Sequence, residues 1–266
     1  MKIFVTVKQV PDTSGKVAVN PDGTLDRASM QTIINPDDLN AAEAALVLKD
    51  QLGCKVIAVT MGPPPAEGML RELMAMGVDE GVLVTAREFG GSDTYATSQI
   101  LAAAIDTIGV EDDDIVMCGR QAIDGDTAHV GPQIGEKLGL PQITYAAEIT
   151  KEGKTVTVKR MLEDGYMTIK TQTPCLLTCI KELNNPRYMT LSGIVDCYSK
   201  QVDVYDYNTL KDDPLIDPAT IGLKGSPTNI FKSFTPPQKG QGVMLKGTDK
   251  EMVDDLTARL KDKHLI

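Results

Sequence analysis

Apolar residues gather in four short runs along the first half of the chain, at positions 2–7, 55–60, 81–85 and 115–118, each bounded by Gly, Pro or charge clusters. Short runs rich in β-branched residues predict strands. Between them apolar positions recur at helical spacing: Leu39, Ala42 and Leu46; Met69, Leu73 and Met76; Leu101, Ile105 and Ile108; and, after the fourth run, Val130, Ile134 and Leu138. Continuously apolar strands alternating with amphipathic helices predict an α/β fold, a mostly parallel sheet with helices on both faces and right-handed crossovers. In such a sheet ligands bind beyond the carboxyl ends of the strands.

From about Tyr145 the texture changes. The stretch KTVTVKRMLEDGYMTIKTQTPCLLTCI alternates polar and apolar residues around Glu163-Asp164-Gly165, which predicts an antiparallel hairpin. Past Lys181 the pattern loosens into NNPRYMTLSG, DDPLIDPATIG and FTPPQKGQG, too poor in apolar periodicity to form a core. The chain then closes on a short amphipathic helix with Val253, Leu256 and Leu260 on one face, which needs something to pack against. The expected division is an α/β domain over 1–181 and an extended arm over 182–266.

Composition narrows the function classes. A formal charge of -10 and a pI near 4.8 disfavour a nucleic-acid partner, and the absence of Trp with only 4% aromatics removes the stacking platforms that single strands need. No apolar run approaches the roughly 18 residues that cross a bilayer, so no transmembrane segment is expected. The start, MKIFVTVKQVPD, alternates like a strand rather than a signal peptide. Five cysteines without a close CxxC pair and only two histidines, His129 and His264, leave neither a disulfide framework nor a usual metal-ligand set. A reducing cytoplasm is the expected location.

Four stretches carry candidate chemistry. Asn35, Pro36, Asp37 and Asp38 read first as a helix start, with Asn as N-cap, Pro in its favoured place and two acids in the first turn. Their alternative role is to hydrogen-bond a ligand at the mouth of the sheet. Met61 and Gly62 follow the second strand, where glycine admits a turn and a close ligand. Asp93, Thr94, Ala96, Thr97 and Ser98 enter a helix behind two glycines, offering unpaired N–H groups to phosphate and hydroxyls to a heteroatom ring. The fourth stretch, Gly119, Arg120, Gln121, Ala122, Ile123, Asp124, Gly125, Asp126, Thr127, Ala128, His129 and Val130, has far more polar residues than a turn requires. Its glycines permit close backbone approach, Arg120 can neutralise a diphosphate or a reduced anionic flavin, and Asp126 and Thr127 can bond ribose hydroxyls. It is neither a Walker A loop nor GxGxxG. No nucleophile stands beside His129, which favours a solvent-facing or ligand-contacting imidazole over a catalytic base.

Taken in order, VKQVPD, INPDD, TMGPP, AMGVDEG, GRQAIDGDTAHVGP and LNNPRYMTLSGI resemble the beta-subunit family of the electron-transfer flavoproteins across essentially the whole chain. The resemblance implies a Rossmann-like domain with an arm wrapped round an alpha subunit, holding either AMP or a second FAD. It places the nucleotide site on Thr6 and Lys8, Asn35 to Asp38, Met61 and the loop from Gly119 to Val130. Asn185-Pro186-Arg187-Tyr188-Met189-Thr190-Leu191 is similar to the family's recognition loop, which makes Leu191 the anchor on a dehydrogenase, with Arg187 and Tyr188 beside it. FGGSDTYATS is similar to the bifurcating members, which oxidise NADH at the second FAD. That implies partners of acyl-CoA dehydrogenase, enoyl-CoA reductase or lactate dehydrogenase type, with ferredoxin or flavodoxin as the second acceptor. The alternative is a relay subunit in which AMP is structural and the redox chemistry lies wholly in the alpha subunit. His129 stands where a glutamine is common in the family, and Met167 where an acid or amide is usual in the hairpin.

Overall fold

The computed structural model describes residues 1–12, 31–229 and 240–266. Most of the FTPPQKGQG stretch lies outside the described residues. In chain order the elements are β1 (Lys2–Thr6), β2 (Gln9–Pro11), β3 (Thr32–Ile34), α1 (Pro36–Leu52), β4 (Lys55–Met61), α2 (Glu67–Met76), β5 (Glu80–Val84), α3 (Thr94–Ile108), β6 (Ile115–Gly119) and α4 (Val130–Lys137). There follow β7 (Gln142–Glu152), β8 (Thr155–Met161), β9 (Tyr166–Gln172), β10 (Cys175–Cys179), α5 (Leu191–Asp196), β11 (Val202–Tyr205), α6 (Tyr207–Leu210), α7 (Gly222–Gly225) and α8 (Asp249–Asp262). The four predicted strands and the helices between them form as expected.

Nine strands make one sheet in the order β11-β5-β4-β1-β6-β10-β7-β8-β9, and β2 pairs antiparallel with β3 in a separate ribbon. The strands from β11 to β10 run parallel, while β8 and β9 form the antiparallel hairpin predicted around Glu163-Asp164-Gly165. Alternation sends Ile3 and Val5 of β1 to the face covered by α1 and α2, and Phe4 to the face covered by α3 and α4. Crossovers through α1 and α2 step outward from β1 to β4 and β5, whereas α3 carries the chain back to β6 on the other side of β1. The order of strands therefore reverses between β1 and β6, which is where a crevice opens in sheets of this kind.

Two parts of the sequence reading change. CLLTC is not the tail of the hairpin but a central strand, β10, wedged between β6 and β7 with Cys175, Leu177 and Cys179 on one face. The stretch after Lys181, read as coreless, returns to the sheet: β11 extends the edge beside β5, and Leu210, Ile216 and Ile221 are buried among the residues of α3. These buried residues are too few and too widely spaced to show a period.

Candidate functional site

The reversal point is occupied by the chain itself. Asp38, in the first turn of α1, accepts the backbone N–H of Lys8 at 2.8 Å on one oxygen and that of Gly119 at 3.0 Å on the other. It thus ties the ends of β1 and β6 together. A Cβ on Gly119 would collide with the Asp38 carboxylate, so glycine is required there by packing. Burial pushes the Asp38 carboxyl up to about 7, against the pull of these donors and of Asn35.

Asn35 occupies the N-cap position but does not cap its own helix. Its amide instead donates to the carbonyl of Gln121 at 2.8 Å and accepts from the N–H of Ile123 at 3.1 Å, stapling the loop after β6. Gln121 then donates to Asp126 at 2.7 Å, and the N–H groups of Gly125 and Asp126 turn back on Ala122. Asp126 and Ala128 both adopt left-handed φ, 50° and 54°, which side chains rarely take outside functional or tightly held loops. Thr127 and His129 are exposed on this loop, Val130 begins α4, and Pro36 is exposed at the start of α1.

Charge is concentrated on the same edge. Arg120 donates its backbone N–H to Cys179, while its Nε lies 3.2 Å from Asp37 Oδ2 without hydrogen-bond alignment, leaving both buried atoms unsatisfied. Burial raises the Asp37 carboxyl despite the guanidinium. Lys8 reaches across to Asp124 with contacts of 2.8 and 2.9 Å. Thr6 is buried, and its hydroxyl faces the Cys118 thiol, which burial pushes up to about 12. All five cysteines are free and buried. Among the described residues no cluster of His, Cys, Asp and Glu forms a metal site.

The open space lies one strand further out. A cleft of about 880 Å³ runs over the ends of β1, β4 and β5, within the range of small-molecule sites. Lys8, Met61, Gly62 and Asp124 of the predicted set line it. The other predicted residues are not among those that line it. Of its other lining residues, Gln9 to Pro11, Thr32, Thr85 and Arg87 were not among the predicted site residues. For Thr85 and Arg87 the available signal was their place just past the end of β5. Thr60 Oγ1 is buried in this wall with no hydrogen-bond partner, and Arg87 has no carboxylate partner among the described residues.

The hydroxyl-rich helix start is largely consumed internally. Ser92 bonds the carbonyl of Phe89 and receives the N–H of Gly222, and Ser98 is buried against the carbonyl of Tyr95. Asp93 caps α3 through the N–H of Ala96, itself buried, and accepts both the N–H and hydroxyl of Thr228. Thr94 and Thr97 remain, their hydroxyls unbonded among the described residues.

A second feature lies across α1. Tyr188 and Leu191 are exposed, whereas the Arg187 guanidinium, expected on the same outward face, turns inward onto Glu43 and Asp50.

The electron transfer flavoprotein domain model matches residues 22–205. The chain is 70% identical to the acryloyl-CoA reductase electron transfer subunit gamma of Anaerotignum propionicum over 100% of both chains. It is 50% identical to the caffeyl-CoA reductase-Etf complex subunit CarD of Acetobacterium woodii and 49% identical to the electron transfer flavoprotein subunit beta of Clostridium acetobutylicum, again over 100% of both chains. With the parallel sheet and the sequence motifs in agreement over the full length, the chain belongs to the electron-transfer flavoprotein family, as a beta subunit.

Proposed function

We propose that this chain, paired with an alpha subunit, binds FAD in the cleft over β1, β4 and β5 and receives electrons from NADH there for bifurcation. One branch would lead to an acyl-CoA reductase-type flavoprotein and the other to ferredoxin or flavodoxin. The observation that carries the reading is the cleft itself, whose wall includes a Thr60 hydroxyl buried without a partner and an Arg87 cation without a carboxylate, both among the described residues. Buried polar groups are nearly always satisfied, so an orphan in a cleft wall points to a ligand. Two relatives named for acryloyl-CoA and caffeyl-CoA reductases support the partner class.

FAD, when bound, supplies the hydride and single-electron chemistry. This chain supplies the container. Thr60 offers its hydroxyl, Arg87 and Arg120 offer positive charge to a diphosphate or reduced ring, and Asn35 and Asp38 keep the walls from spreading. Among the described residues no helix is long and apolar enough to cross a membrane.

The commitment of Ser92, Asp93 and Ser98 to internal bonds favours a second reading, with AMP as a structural ligand in the cleft. Nucleotide extraction from the purified heterodimer separates them. Two FAD per heterodimer and bleaching by NADH are expected. One FAD with one AMP, and no reaction with NADH, overturns the bifurcating reading. Replacing Thr94 and Thr97 by Val should lower flavin content in the first case and leave AMP content intact in the second.

A further inference from the structure

The segment from Asn184 to Lys200 exposes its apolar side chains while its main chain is held at both ends. Tyr188 is 94% exposed, Leu191 86%, Val195 73% and Tyr198 76%. At the entry, Asn40 of α1 donates to the carbonyl and amide oxygens of Asn184 at 2.8 and 3.0 Å, and Asn184 returns a bond to the Asn40 carbonyl at 2.9 Å. Three residues on, Glu43 grips Arg187: one oxygen accepts the backbone N–H at 3.0 Å and Nε at 2.9 Å, the other accepts Nη2 at 3.1 Å. Asp50 takes a further bond from Nη2 at 2.8 Å. At the exit, Arg71 of α2 donates to the carbonyls of Cys197 and Lys200, and the Lys200 ammonium reaches the Val78 carbonyl.

Glu43 is only 6% exposed. A buried carboxylate needs its partner, and the partner here also fixes the backbone immediately before the two most exposed apolar residues of the segment. Ordering a segment before contact removes part of the entropy that association otherwise costs.

We propose that Arg187 is a positioning residue for partner docking: its clamp on Glu43 sets the main chain from which Tyr188 and Leu191 project. Arg187 acts through those residues and does not touch the partner. This rests on the reading that the segment docks a reductase-type flavoprotein, and the test separates the two.

The assay follows electron transfer from the chemically reduced heterodimer to the acryloyl-CoA reductase of Anaerotignum propionicum, with variants L191A, R187A, E43Q, R187K and the double variant R187A/L191A. L191A and R187A should each raise KM for the reductase about tenfold, with little effect on kcat and flavin content. The double variant should resemble L191A alone, because coupled residues are non-additive. E43Q should mimic R187A although Glu43 cannot reach a partner, and R187K should recover part of the loss, since a point charge replaces the fork. Chymotrypsin should cleave after Tyr188 and Leu191 several-fold faster in R187A and E43Q.

If losses from L191A and R187A multiply to about a hundredfold, Arg187 contacts the partner and the positioning role is overturned while docking stands. An L191A variant with unchanged KM overturns the docking reading and the proposal with it. If R187A does not fold, E43Q and R187K decide, and cleavage rates equal to those of the parent in both overturn the proposal.

Discussion

Asp38 shows how a helix-start residue can be read correctly by type and incompletely by role. Its carboxylate bridges Lys8 and Gly119 rather than its own helix. Asp38→Asn would present an amide N–H₂ to one of these donors, and a loss of about 1–3 kcal/mol in urea unfolding is expected. The pH dependence has a definite sign. Burial lifts the folded pKa from 3.8 to about 7, so the folded chain keeps a proton that the unfolded chain releases. The stability this contributes is fully present below 3.8, declines as pH rises and is lost above about 7. Urea midpoints at about pH 5 and about pH 8 should show the parent losing stability relative to Asp38→Asn, and a difference independent of pH would contradict the assignment. Thr60 gives the converse case. Its unpartnered hydroxyl costs desolvation without return, so Thr60→Val should stabilise the nucleotide-free heterodimer by up to about 1 kcal/mol while loosening bound nucleotide several-fold, measured by melting and by equilibrium dialysis. The residue types at this edge were legible in the sequence, including Asn35, Asp38 and Gly119. Their partners were not, because each bond spans from 30 to 88 positions and no local pattern encodes it.

At the scale of elements, strands and helices with strong periodicity were readable because each buries a continuous face. The hairpin was readable from its acidic-glycine turn. β11 and the residues after it were not, since their contribution comes from single side chains at wide intervals. Leu210, in a helix of one turn, is fully buried beside α3. Leu210→Ala should therefore destabilise the fold by about 2–5 kcal/mol, a core-sized loss from a stretch that looks peripheral in the sequence. A change below about 0.5 kcal/mol by chemical denaturation would show that the stretch detaches freely. The cleft was located in principle by the strand-end rule, yet its centre lies over β4 and β5 because α1 already fills the crevice between β1 and β6.

For the whole molecule, the unburied elements matter most. α8 is well formed, with a capping box between Thr248 and Glu251, but buries none of its residues. Of the apolar stripe expected in the sequence, Val253 and Leu256 are exposed and Leu260 is half-buried. Ending the chain at Lys246 should leave the melting temperature of this subunit unchanged and weaken the heterodimer at least about tenfold in sedimentation experiments, since burying even one such side chain contributes about 1.5–3 kcal/mol. Equal affinity with and without the helix would place the alpha subunit elsewhere.

The clamped segment has one more consequence. Inside it only a few positions are constrained by the fold: Thr190 caps α5, a side chain on Gly193 would strike the Ala75 carbonyl, and Cys197 is buried. Tyr188, Leu191, Val195 and Tyr198 are largely exposed, and Met189 and Ile194 partly so. Under the proposed docking role the stretch would be an exchangeable cassette: a chimera carrying another family member's residues at these outward positions, between the same clamps, should change its reductase preference while keeping its nucleotide.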